Sequence, residues 1–160
     1  MGILGDLVLS GSARMNRRGR YLGRRSTKVH VALYRWSNGR LGGRILGWPA
    51  ARILLLDHVG ARTGIARTSP VIYHQENGLL AVVASKAGQP DNPAWFHNLR
   101  ANPDTTVQIG AEVRPVHARI ATDEERNRLW PSFVAAFPAF DSYQRNADHR
   151  TIPVVILDPR

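Results

Sequence analysis

Arg52 to Ser85 reads RILLLDHVGARTGIARTSPVIYHQENGLLAVVAS, and the fold turns on how this stretch is parsed. Arg52 to His58 is a short, dense run of leucine and β-branched residues, the composition of a buried strand. Glycines at 60 and 64 bracket a turn. Arg67 to His74 and Leu79 to Ser85 form two further strands joined by Glu76-Asn77-Gly78. The Asn-Gly pair supplies the positive φ angles that a tight hairpin turn demands. The stretch is therefore strand, turn, strand, hairpin, strand.

Working outward, Asn92 caps a helix with Pro93 at its first position, where a missing N–H costs nothing. Asn102-Pro103 stops that helix. Thr105 to Ile109 and Val113 to Ile120 make a second hairpin around Gly110. Thr122 and Glu125 are spaced as a capping box, opening a helix with Leu129, Phe133 and Phe137 on one stripe and a kink expected at Pro131. A loop or short helix runs through Tyr143, and Ile152 to Leu157 is the last strand. Upstream, Thr27 is read as the cap of a basic amphipathic helix running through Trp36, with Val29, Leu33 and Trp36 on one face. Asn38-Gly39 ends it, and Gly42-Gly43 to Trp48-Pro49 reads as loop. Six mainly antiparallel strands with flanking helices and no β-α-β rhythm predict an α+β fold, a small split β-barrel closed by hairpins.

The 160-residue chain carries a net charge of +10 that is unevenly spread. Residues 1–52 hold eleven Arg and Lys against one acid, Asp6, while residues 53–160 hold eleven of each sign. Residues 1–26, with five glycines among the arginines, read as a frayed helix followed by a mobile basic segment; residues 27–160 read as one domain. The basic end attracts polyanions such as anionic lipid or a cofactor tail. Nucleic acid is not expected as a partner, because Tyr21 alone interleaves the arginines with a stacking ring.

The absence of cysteine excludes disulfides, thiolate metal sites and cysteine nucleophiles. The six histidines lack the spacing of a metal site, so no metal is expected. Neither a G-x-S-x-G elbow nor a glycine-rich phosphate loop of the dinucleotide or triphosphate kind occurs. No purely aliphatic run, Ile53 to Leu56 included, approaches the ~20 residues of a membrane span, and the first ten residues fit a secretory signal badly. A cytoplasmic location is expected, with peripheral contact on the inner face of the cell membrane through residues 1–26.

What remains is a cluster of cations and turn donors. Arg62 and Thr63 lie in the bracketed turn, Arg67 enters the next strand, and Ser85-Lys86-Ala87-Gly88 follows the neighbouring hairpin strand. These groups could converge on one phosphate or be solvated turns; spacing alone leaves both open.

Leu54 to Gly64 followed by Arg67-Thr68-Ser69-Pro70 resembles the L-L-L-T-T-x-G-R-K-[ST]-G-x-x-R-x-x-P signature of the deazaflavin-dependent nitroreductase and quinone reductase family. Ala84-Ser85-Lys86-Ala87-Gly88 is similar to its A-S-K-G-G, and Asn92 to Leu99 with Ala101-Asn102-Pro103 to its N-P-x-W-[YF]-x-N-L-x-A-N-P. Residues 121–126 and 152–155 match as well. The resemblance implies a split barrel binding reduced coenzyme F420, which donates hydride to a quinone or a nitro compound. It assigns the cofactor's phosphate and acidic tail to Arg62, Thr63, Arg67, Ser85 and Lys86. It assigns the deazaflavin ring to Thr68, Ser69, Pro70, Val71 and Ile72 and to Ala94, Trp95, Phe96, His97 and Asn98. Two departures stand out. Ala61 replaces a basic residue, and the substrate-side tyrosines are here Phe137, Phe140 and Tyr143, leaving Tyr143, helped by Ser85, as the catalytic hydroxyl. Quinone reduction with poor turnover of bulky nitro compounds is the consequence expected. The alternatives are an FMN-binding split barrel and a basic membrane- or nucleic-acid-binding module.

Overall fold

The computed structural model describes residues 24–160. Six strands close into an antiparallel barrel: β2 (Trp48–Val59), β3 (Ala66–Glu76), β4 (Leu79–Val83), β7 (Val154–Pro159), β6 (Glu112–Ile120) and β5 (Asp104–Ile109), with β5 returning to β2. Closure rests on two register pairs, Leu55 with Gln108 and Leu56 with Val107. A two-residue strand, β1 (Arg44–Ile45), adds a seventh to the outside of β2. Four helices flank the barrel: α1 (Arg24–Trp36), α2 (Ala94–Ala101), α3 (Asp123–Ala136) and α4 (Ala139–Asn146).

The β3–β4 hairpin turns on Asn77 and Gly78, both at positive φ (49° and 81°), as the Asn-Gly pair requires. The capping box at Thr122 forms in both directions, Glu125 N–H to the Thr122 hydroxyl and Thr122 N–H to the Glu125 carboxylate.

Alternation along the strands sorts the apolar residues into two cores. Leu54, Leu56, Tyr73, Leu80, Val82, Val107, Val116 and Leu157 fill the barrel, joined by Trp95, Phe96 and Leu99 of α2. Ala81, Val83, Val154 and Ile156 face outward under Leu129 and Phe133 of α3, Phe137, and Phe140 of α4. Strands β4 and β7 are covered on both faces, which is why they read as unbroken apolar runs.

Several expectations are corrected. The segment around Trp48-Pro49 is not loop: β2 begins at Trp48 and β1 precedes it. Strand β4 stops at Val83, two residues early. The cap of α2 is Pro93, because the Asn92 side chain is drawn away to accept from Arg150 at 2.6 Å. Helix α3 ends at Ala136, so Phe137 is its C-cap and not a member of the helical stripe; Pro131 stands inside the helix. The apolar face of α1 points away from the barrel. The helix docks instead through Tyr34, whose hydroxyl donates to the Ile53 carbonyl (2.9 Å) and accepts from Gly110 N–H (3.0 Å), bridging β2 and the β5–β6 turn. His30 adds a hydrogen bond to the Gly42 carbonyl at 2.8 Å.

Candidate functional site

The turn between β2 and β3 is built by its own backbone. Gly60 N–H donates to the Ile65 carbonyl (2.9 Å) and Gly64 N–H to the Gly60 carbonyl (2.8 Å). Thr63 Oγ1 accepts from Ile65 N–H at 3.3 Å, so this hydroxyl tightens the turn. A Cβ at position 60 would sit 2.3 Å from that oxygen, which explains the glycine. Arg62 is exposed, Arg67 half-buried, and among the described residues neither has an acidic partner.

Beneath the turn lies a buried polar chain. Ala61 N–H donates to Asn98 Oδ1 (2.9 Å), which fixes the amide orientation and turns Asn98 Nδ2 toward His58 Nδ1 (2.9 Å). His58 Nδ1 must then accept, so the proton sits on Nε2, which donates to Ser69 Oγ at 2.9 Å. His58 and Asn98 are 5% and 8% exposed. Burial, then the nearby Arg67 charge, lowers the His58 pKa from 6.5, opposed by Asp57. The chain ties the turn, α2, β2 and β3 into one frame and leaves the Ser69 hydroxyl proton to donate elsewhere. The Ala61 side chain departs from the family pattern; its backbone N–H is the anchor.

The expected ring-lining residues do not share one face. Arg67, Ser69 and Val71 stand with His58, Leu56 and Leu54 across the β2–β3 register, whereas Thr68, Pro70 and Ile72 stand on the other side. The Thr68 hydroxyl donates to Asp57 Oδ1 (2.6 Å) and accepts from Arg35 (3.2 Å), and Ile72 packs into the outer core. On α2, Trp95 and Phe96 belong to the barrel core and Asn98 to the polar chain, leaving Ala94 and His97 outward.

The second loop follows β4. Ser85 has right-handed dihedrals (φ −75°, ψ −37°), and Lys86, Ala87 and Gly88 all have positive φ (46°, 53° and 75°). A right-to-left-handed step points successive N–H groups into a concavity suited to an anion. Arg150 holds the loop from behind, donating to the carbonyls of Ser85 (3.0 Å) and Gln89 (3.0 Å) and to Asn92. Lys86 is half-buried and paired with Asp91 at 2.5 Å, a hydrogen bond that lowers the Asp91 pKa. Gly88 abuts α4: a Cβ there would meet the Tyr143 carbonyl oxygen at 2.7 Å. Ser85 and Tyr143 therefore lie on touching elements. The rings of Phe137, Phe140 and Tyr143 cluster with centroids 5.4 to 6.3 Å apart. Phe137 and Phe140 are buried in the outer core, while Tyr143 is half-buried and its pKa raised by burial, which keeps the hydroxyl protonated.

The family model for F420H(2)-dependent quinone reductase matches residues 26–159. The chain belongs to that family. An F420H(2)-dependent quinone reductase of Mycobacterium tuberculosis is 39% identical over 145 residues, covering 88% of this chain and 95% of the relative. A solved F420-H2 dependent reductase, FDR-A, superposes with a TM-score of 0.61 at 42% identity over 66% of this chain and 93% of its own. A second structure, described as a domain-swapped dimer, gives 0.63 at 32% identity over 98% and 100%.

As a member of the F420H(2)-dependent quinone reductases the chain is an oxidoreductase with coenzyme F420 as its cofactor, which disfavours FMN. The residues fit such a group, because two guanidinium groups without acidic partners among the described residues and a concave backbone loop lie at the two ends of the β3–β4 hairpin. Three members of the frame were not singled out by sequence reading. His58 is hidden in an apolar strand, Asp91 in a loop, and Arg150 acts on carbonyls about sixty residues away. No helix among the described residues is long and apolar enough to cross a membrane.

Proposed function

We propose that this chain reduces a quinone with hydride from reduced F420, binding the cofactor's anionic end on the two loops and its ring against β3. When bound, the coenzyme supplies the hydride. Arg62 and Arg67 hold the phosphate and acidic tail, on a turn that Thr63 tightens and the Ala61–Asn98–His58–Ser69 chain keeps in place. The Ser85–Ala87 backbone and Lys86, released from Asp91, complete the anion site. Pro70 and Ile72, on the outer face of β3 that Tyr143 also covers, with Ala94 and His97, are the ring-facing candidates among residues 68–72 and 94–98; Ser69 and Val71 face the barrel interior, and Trp95, Phe96 and Asn98 support the site from below. Tyr143, on the helix that touches the Ser85–Gly88 loop, holds a proton for the quinone oxygen, so hydride and proton together give the hydroquinone.

The observation that carries this reading is the pair Arg62 and Arg67, without acidic partners among the described residues, on and just after a turn that hydrogen bonds from Thr63 and Asn98 already fix. Phe137 and Phe140 offer no hydroxyls to a nitro group, which favours quinones. The natural oxidant is then lipid-soluble, consistent with an enzyme on the inner face of the cell membrane. Residues 1–23 of the proposed membrane segment lie outside the described residues. The test is oxidation of reduced F420 by a water-soluble quinone and by a nitroimidazole. Faster quinone turnover that falls in Tyr143→Phe supports the assignment; equal rates for both oxidants, or no effect of the variant, overturn it.

A further inference from the structure

We infer that the outward face of α1, with the loop that follows, is a docking surface for an anionic lipid bilayer. The helix holds the barrel by the side bearing Tyr34 and His30. On the far side Val29 (58% exposed), Leu33 (44%) and Trp36 (79%) form a stripe at i, i+4, i+7 that the fold does not cover. Arg25 and Lys28 are exposed beside that stripe, Arg40 and Leu41 are exposed just past the helix, and Leu46 (93%) tops the β1–β2 turn next to exposed Arg44.

Charge selects the occupant. Residues 24–56 contain seven Arg and Lys and no acid, and the first acid after them, Asp57, is paired with Arg35. An apolar stripe flanked by cations, with a tryptophan at its end, is the pattern of a helix lying in the interface of a charged bilayer, where arginine and lysine stems reach past apolar neighbours to headgroups. Neither signal alone holds a protein there; this surface has both. The contact sits on a rigid, barrel-docked helix, not only on residues 1–26, and it does not depend on the hydride-transfer reading.

The test is co-sedimentation of the full chain with vesicles of phosphatidylglycerol and phosphatidylcholine, and with phosphatidylcholine alone. Three variants are compared: Leu33→Ser/Trp36→Ser, Arg25→Glu/Lys28→Glu/Arg40→Glu, and Arg14→Gln/Arg17→Gln/Arg18→Gln/Arg20→Gln. Thermal melting and turnover of a water-soluble quinone check that each variant is folded. Binding to the anionic vesicles only, weakened about tenfold or more by each of the first two variants, supports the surface. Binding untouched by those two but abolished by the third assigns docking to residues 1–23 and overturns it. Light scattering covers the remaining occupant: a dimer that Leu33→Ser/Trp36→Ser dissolves, with vesicle binding unchanged, makes the stripe a contact between copies and also overturns it.

Discussion

The two loops that flank β3 and β4 carry cations in opposite states. In the Gly60–Gly64 turn and the strand entered from it, Arg62 and Arg67 have no acidic partner among the described residues, and the backbone is fixed from below by Asn98 and His58. In the Ser85–Asn92 loop Lys86 is held by Asp91, and Arg150 fixes the shape through carbonyl oxygens. The first loop offers charge on a preformed frame. The second offers a preformed backbone concavity whose charge must first leave a partner. Binding energy for an anionic cofactor should therefore be concentrated in the first loop, since exchange of one ion pair for another gains little at an exposed site.

Removing either arginine tests this most severely. Arg62→Ala and Arg67→Ala should each weaken F420 binding by about 1.5 to 3 kcal/mol, the range for hydrogen bonds to charged groups, with little change in melting temperature. Titration by fluorescence of the coenzyme measures it; unchanged affinity in both variants would break the comparison. Arg150→Ala should act on the other loop mainly through stability. It strands the Ser85 and Gln89 carbonyls, and a denaturant midpoint should register about 1 to 3 kcal/mol of destabilisation. A stable variant that merely loses affinity would make Arg150 a cofactor ligand instead.

Smaller effects sharpen the picture. Lys86→Ala should cost less affinity than either arginine, whereas Asp91→Asn, which frees Lys86, should tighten binding modestly. The reverse order of Lys86 and Arg62 would exchange the roles of the two loops. The polar chain below the first turn should leave a pH signature. His58 has a folded pKa below 6.5, so its neutral form contributes fully above pH 6.5. As pH falls from 6.5 through the lowered folded value, the unfolded chain takes up a proton that the folded chain refuses, and stability declines. This window is separate from that of Glu125, whose pKa is lowered to about 2 chiefly by its hydrogen bonds from Arg119 and which loses its contribution only between pH 4.5 and 2. Denaturation midpoints from pH 7.5 to 5 should fall for wild type and flatten in His58→Gln; parallel curves would contradict the assignment of a neutral, buried histidine.

Features set by neighbours in sequence were legible from it. The Asn77-Gly78 hairpin and the Thr122–Glu125 capping box depend on local dihedrals and spacing, and both formed as read. The orientation of α1 was not legible, because amphipathic spacing says that a helix has two faces and not which one the barrel takes; Tyr34 decides that through distant carbonyls. Asn92 looked like a cap until Arg150, 58 residues away, claimed its side chain. For the site, the motifs pointed to Arg62, Arg67, Ser85 and Tyr143, and the structure brings the Ser85–Gly88 loop against the helix that carries Tyr143. The division of residues 68–72 between two strand faces, and the inward turn of Asn98, required the register.

The central claim is that these two loops are built for the anionic end of a deazaflavin coenzyme. A side-by-side titration of the full chain with F420 and with FMN tests it most directly. The account predicts that F420 binds well and FMN at least tenfold more weakly, with the F420 preference shrinking as salt screens Arg62 and Arg67. Equal or tighter binding of FMN, or a preference that salt leaves untouched, would contradict it.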